Sequence, residues 1–190
     1  MIPIPSDAVV QRRFARRFAQ NVFFLYHPMM MNNFSRQLQK LIKEDQDNIK
    51  GFYGGKISQE MLMDRSNNIS AVFLGLINKF GFPYKNTDIS EEDYKSGIAL
   101  ALHLSLPQLK NVYSGYIEKS LNEQVLPEHK IVFIDKIRIL SGQPQLYGSQ
   151  FRKIIKNKIE FLPIEDIENV DQRRREMGIP PLSEYIKQIS

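Results

Sequence analysis

The chain has no cysteine among its 190 residues and only three histidines, set far apart at His27, His103 and His129. Without cysteine there is no disulfide, no thiolate nucleophile and no cysteine-based zinc site, and nothing points to an oxidising compartment. A metal site would have to rest on carboxylates, and no set with ligand spacing stands out, so neither a metal nor a cofactor is expected. Long apolar runs are missing too: none approaches the ~20 residues needed to cross a bilayer. The glycine-rich phosphate loop, the helical His-Glu-x-x-His, the nucleophile elbow and any internal repeat are absent as well. These gaps remove the enzyme classes that announce themselves by motif, and the expected compartment is the cytoplasm.

What is present is ordinary globular composition, 42% hydrophobic and 25% charged, far from the regime of disorder. The length fits one domain with a terminal extension. A net charge of +5 is modest, and the downstream basic residues are interleaved with acids, so there is no specific nucleic-acid signal. Residues 1–34 have their own character. Arg12, Arg13, Arg16 and Arg17 alternate with Val9, Val10, Phe14, Phe18 and Val22 at the spacing of a basic amphipathic helix. Such a helix either caps the domain or makes weak contact with a membrane surface through residues 9–25. A cleaved signal peptide is a poor fit, because the apolar stretch is interrupted by His27 and Pro28 and followed by three methionines instead of small residues. The expected organisation is an extension at 1–34 and a single helical domain at 35–190.

Within that domain the periodicities predict a mainly α fold with one small β-hairpin near the C-terminus. Phe34, Leu38, Leu41, Ile42 and Ile49 share one helical face, and Asp45, Gln46 and Asp47 fall near that helix's end. Ile69, Val72, Phe73, Leu76, Ile77 and Phe80 form a second stripe, stopped by Gly81 and Pro83. Ser90 caps a third helix whose first turn is acidic and whose remainder, including His103, is apolar almost all round. A fourth helix runs on from Pro107. Residues 128–140 mix β-branched content with a period of three, and Pro127 before them and Gly142 after them decide for a helix. Asp135 and Arg138, three apart on it, could pair. Two β-friendly runs around Lys156 and Asn157 read as the hairpin, which Pro163 ends. A short helix over 164–178 would carry its acids first and its arginines last.

Residues 142–185 hold most of the non-periodic information. Gln145, Tyr147, Gly148 and Gln150, then Pro163, Ile164, Glu165 and Asp166, then Val170, Asp171, Arg173 and Arg174, then Gly178, Pro181, Leu182, Glu184 and Tyr185 make a pattern that resembles an uncharacterised, mostly bacterial domain family of unknown function. Ser149 stands where that family usually has threonine and Ile179 where it usually has leucine. Weaker correspondences reach upstream to Asp45 and Gln46, Asp64, the Gly81-Phe82-Pro83 stretch, His103 and Asp135, so the resemblance spans roughly residues 36–187 and implies no known reaction.

Two functions follow from these residues. One is a hydrolase or transferase acting on a polar or anionic small molecule. Its catalytic candidates are His103 as base and Asp135 as its orienting partner, with Gln145, Tyr147 and Gln150 as polar contacts and Arg173 or Arg174 as an anion clamp. Asp45, Gln46 and Asp64 complete the substrate-binding candidates that the resemblance implies. The other is a non-catalytic module that binds a small molecule or a protein and uses the same residues as a polar network fixing loop and hairpin against the helices. Polar groups set among apolar helices must meet partners, so His103, Asp135, Tyr147 and Gln150 are expected in one cluster. Whether that cluster is open or sealed separates the two functions.

Overall fold

The computed structural model describes residues 7–85, 89–155 and 158–189, with side chains from residue 30 onward except those of 153–155, 158 and 189. Among these described residues seven α-helices and a two-stranded antiparallel sheet follow one another: α1 (Asp7–Tyr53), α2 (Gln59–Phe80), α3 (Glu91–Leu102), α4 (Leu106–Val112), α5 (Pro127–Leu140), β1 (Phe151–Ile155), β2 (Lys158–Phe161), α6 (Val170–Glu176) and α7 (Leu182–Ile189). The mainly α class with one small hairpin is borne out. Among the described residues no helix is long and apolar enough to cross a membrane. The hairpin pairs Phe151 with Phe161, and its register shifts between Phe151 and Lys153. Its expected turn at Lys156 and Asn157 lies outside the described residues, as do the side chains of the basic face of the N-terminal segment.

Local chemistry explains most boundaries. Ser58 and Ser90 adopt extended backbone and accept the N–H of Met61 and Asp93, capping α2 and α3. Gly81 ends α2 at φ 86° and Gly142 follows α5 at φ 75°, both in the left-handed region where only glycine is free of strain. After α4 the chain widens into a π-helical turn, Tyr113–Ile117.

Two elements differ from the sequence expectation. The helix expected from Phe34 to Ile49, with Asp45–Asp47 near its end, continues to Tyr53, and Asp45 and Asn48 turn into the protein and find partners there. The helix expected over 164–178 starts late, with a 3₁₀ turn Ile167–Asn169 before α6. Ile164 is instead held extended in a bridge with Gln145, and the N–H of Glu165 donates to the carbonyl of Gln145 at 2.8 Å.

The core gathers Phe34, Leu38, Phe73, Ile77, Tyr94, Ile98, Leu109, Ile117 and Phe133, one face of each of five helices. Polar groups fix the register of α1 against α3. Ser35 and Gln39 donate to the buried Asp93 at 2.6 and 2.8 Å, and Asp45 meets His103. The steady sequence offset of these pairs means that α1 and α3 run in the same direction. Burial pushes the Asp93 pKa up, but the hydrogen bonds from Ser35, Gln39 and Ser90 outweigh it and hold the carboxyl below the usual range.

His129, near the start of α5, is tied to α3 by Tyr94. The Tyr94 hydroxyl accepts the N–H of Leu126 at 3.1 Å and lies 2.6 Å from His129 Nδ1. The two groups share a hydrogen bond, and the ring is neutral with one proton and charged with a second. Burial pulls the His129 pKa below the ordinary histidine value, Glu128 opposes this, and Lys95 and Lys85 add to it. The folded state then holds this proton less tightly than the unfolded chain. Its contribution to stability is complete above the unfolded pKa of ~6.5 and is lost as pH falls through the lower folded value. Unfolding midpoints should decline from about pH 6.5 towards pH 5, and His129→Gln should flatten that decline. Parallel slopes for the two proteins would refute the assignment. Asp93 acts lower, since its stabilisation is lost only as pH falls below the ordinary carboxyl range.

Candidate functional site

The polar residues expected in one cluster fall into two. The first is built by α5 and the loop of residues 145–150. Asp135, completely buried, aims its carboxylate at the loop backbone. It accepts the N–H of Leu146 at 2.8 Å, of Tyr147 at 3.1 Å and of Ser149 at 2.9 Å, together with the Ser149 hydroxyl at 2.9 Å. Gly148 makes the turn possible at φ 72°, so successive N–H groups point to one centre. Gln145 is completely buried as well. It receives the N–H of Gln150 on Oε1 at 2.8 Å and donates through Nε2 to the carbonyls of Gln150 and Leu162, each at 2.8 Å. One amide thus clamps the loop to the end of the hairpin.

The arginines complete this network. Arg173 donates to the carbonyls of Leu146, Glu165 and Asp166. Asp166, at φ 44°, is the one non-glycine described residue in the left-handed region, so Arg173 and Asn169, which donates to its carboxylate at 2.7 Å, hold a strained turn. Arg174 is 2% exposed. It donates through Nε to the carbonyl of Pro180 at 2.6 Å and through Nη1 to that of Tyr147 at 2.7 Å, with its guanidinium 5.1 Å from the Tyr185 ring centre. The backbone of Tyr147 is therefore held by two buried opposite charges, its N–H by Asp135 and its carbonyl by Arg174. Burial lowers the Arg174 pKa, and Asp171, Tyr185 and Asp135 counter it; an arginine stays charged through such a change. Arg138 does not pair with Asp135. It donates to the carbonyl of Pro144 and forms an ion pair with Glu165, because both oxygens of Asp135 are already taken.

The second cluster is built by α1 and the end of α3. His103 is not inside a buried helix but at the C-cap of α3, since the chain turns there to start α4 with the Ser105–Gln108 capping box. Its side chain is 45% exposed, and its Nδ1 lies 2.9 Å from Oδ2 of Asp45, which is 5% exposed. The orienting partner of His103 is thus Asp45 and not Asp135, and no hydrogen bond joins the two clusters among the described residues. One turn further along α1, Asn48 accepts from Arg65 at 3.0 Å and leaves its Nδ2 without a partner. Gln46 is exposed and lines an open groove of about 810 Å³ between α1 and α3, with Gln39, Lys43, Lys95 and Ala99. Asp64 stands apart on an exposed face of α2 in a shallow depression with Gln59, Met63 and Asn67.

A smaller and more enclosed cavity of about 320 Å³ adjoins the first cluster. Ile131, Val132, Ile179 and Pro180 wall it, Ser149, Arg174 and Tyr185 reach it from the network, and Glu128, Gly178 and Gln188 complete the lining. Among these residues Arg174 is the one cation. Burial raises the pKa of Tyr185, so its phenol keeps its proton at neutral pH and can donate. Sequence reading did not place Ser149, Tyr185 or Glu128 in a site. Ser149 follows the turn glycine, which was a usable signal, whereas Glu128 reads only as a first-turn helix acid. Among the described residues no three His, Asp or Glu side chains come together to hold a metal ion.

The profile of a family of unknown function, DUF6624, matches residues 106–190. That range covers the loop network and the cavity and begins after His103, so Asp45, Gln46, Asp64 and His103 lie outside it, and the match is shorter than the span of roughly 36–187 that the motifs led one to expect. No curated protein and no solved structure matches the chain.

Proposed function

We propose that the chain is a non-catalytic ligand-binding module that takes a small anionic molecule into the cavity beside Arg174. The observation that carries this reading is the state of that guanidinium. It is almost wholly buried, two of its nitrogens are bonded to carbonyls, and its Nη2 donates to no group among the described residues while the residue lines a cavity. A carboxylate or phosphate oxygen is the natural acceptor for a buried, incompletely bonded arginine. The Asp135 and Gln145 networks then act as scaffold. Their hydrogen bonds are internally satisfied, which suits positioning and leaves neither group free for proton transfer.

The test is a thermal-shift and calorimetric titration with hexanoate and with inorganic phosphate. The module reading expects the midpoint to rise with concentration for at least one of them, as for any ligand that binds only the folded state, and expects Arg174→Lys to weaken binding by about tenfold or more through loss of the planar fork. No shift with either anion, or an unchanged affinity in a folded Arg174→Lys protein, would end the proposal.

The hydrolase or transferase reading keeps one observation of its own. Asp45 holds Nδ1 of a half-exposed His103 and leaves Nε2 open, which is how a general base is oriented. Its distinguishing mark is that His103→Gln would abolish turnover of a substrate while leaving anion affinity at Arg174 untouched.

A further inference from the structure

The cavity beside Arg174 carries a second charge that the network does not use. Glu128, in the first turn of α5, lines the same cavity and makes no hydrogen bond or ion pair among the described residues. Arg174 and Glu128 are thus two opposite charges on one cavity that lie too far apart to pair with each other. In a folded protein, incompletely bonded opposite charges around an apolar-walled space are complementary to a molecule that carries both signs. The same cavity is lined by Ile131, Val132, Ile179 and Pro180, a surface suited to a short aliphatic segment and unsuited to a third charge.

The geometry points to a zwitterion with a small aliphatic body as the ligand class, its carboxylate on Arg174 and its ammonium on Glu128. This inference rests on the anion-binding reading above and narrows it. At the carboxylate end Arg174 is 2% exposed and its guanidinium lies 5.1 Å from the centre of the Tyr185 ring, so a carboxylate would be met in an environment with little solvent. The ammonium end is wetter, since Glu128 is exposed, so the carboxylate supplies most of the affinity and the ammonium supplies discrimination.

The experiment is calorimetric titration of the full chain with β-alanine, 4-aminobutanoate, 6-aminohexanoate and diglycine, each beside the acid that lacks its amine: propanoate, butanoate, hexanoate and N-acetylglycine. At least one amino acid should bind about threefold to tenfold more tightly than its partner acid at low salt, and Glu128→Gln should erase that difference while leaving the acid's own affinity as it was. Equal affinities throughout each pair, or a difference that survives Glu128→Gln, would overturn the zwitterion and leave the anion site standing. Failure of every acid and every amino acid to bind would overturn the zwitterion, and failure of inorganic phosphate as well would overturn both. Glu128 touches the Arg174 network nowhere, so its variant is expected to fold, and a wild-type midpoint for Glu128→Gln confirms that the comparison is sound.

Discussion

Asp135→Ala is expected to lower stability by about 3–5 kcal/mol, a large share of the roughly 5–15 kcal/mol that a folded domain possesses. Three backbone N–H groups and one hydroxyl end on this carboxylate in a site without solvent. Removing it leaves donors that the turn at Gly148 cannot redirect, and each unmet donor costs about 1–3 kcal/mol. The loss has a second part, because Arg174 would remain buried with one of the charges that offset its desolvation gone, Asp171 being the larger of the two carboxylate contributions. Asp135→Asn keeps the shape but turns an amide N–H₂ towards N–H donors whichever way it is placed, so it should lose nearly as much. Urea unfolding followed by far-UV circular dichroism measures both variants. A loss under about 1 kcal/mol for Asp135→Ala would show that the loop relaxes freely, and with it the idea that this network pre-forms the cavity would fall.

How far the sequence revealed this depends on the kind of signal. Helix α5 was legible because Ile131, Ile134, Ile137 and Leu140 recur along one face between Pro127 and Gly142, and those two residues act locally. The caps at Ser58 and Ser90 and the pairing of β1 with β2 were legible for the same reason. Tertiary partners were not. The residues around His103 are apolar on every side, which reads as burial, yet the helix ends one residue earlier and the imidazole faces outward. The match of Asp45 to His103 and of Asp135 to the loop depends on which helices run side by side, and no local pattern encodes that α1 and α3 are parallel. Asp93 shows the same limit. It reads as a first-turn acid favoured by the helix dipole, while in the structure Ser35 and Gln39 from α1 make it a buried anchor. Gln145 fits a polar contact to a ligand by sequence alone, whereas its side-chain hydrogen bonds go to the backbone of Gln150 and Leu162.

Gly97→Ala should be the most damaging change in the helical half, on the order of 3 kcal/mol. Nothing in the helix propensity suggests this, since alanine is the better helix former by about 1 kcal/mol. The reason is the connection from α2 to α3, which folds back across α3 so that a Cβ on Gly97 would stand 2.2 Å from Cγ of Pro83. A proline ring has no rotamer that swings clear, and Phe82 beside it is buried against the ring of Tyr116 at 5.9 Å. The connection would have to lift, opening the seat of Tyr94 and loosening the Tyr94–His129 contact that joins α3 to the start of α5. Leu104, Val112, Ile117 and Phe133 share one core with Phe34 and Phe73, so that loosening should lower one common unfolding midpoint, read alike by circular dichroism and by tyrosine fluorescence. A melt that split into two steps, with residues 106–190 surviving the first, would instead show that the cavity-bearing half folds by itself, and ligand binding measured between the two steps would then locate the site within it.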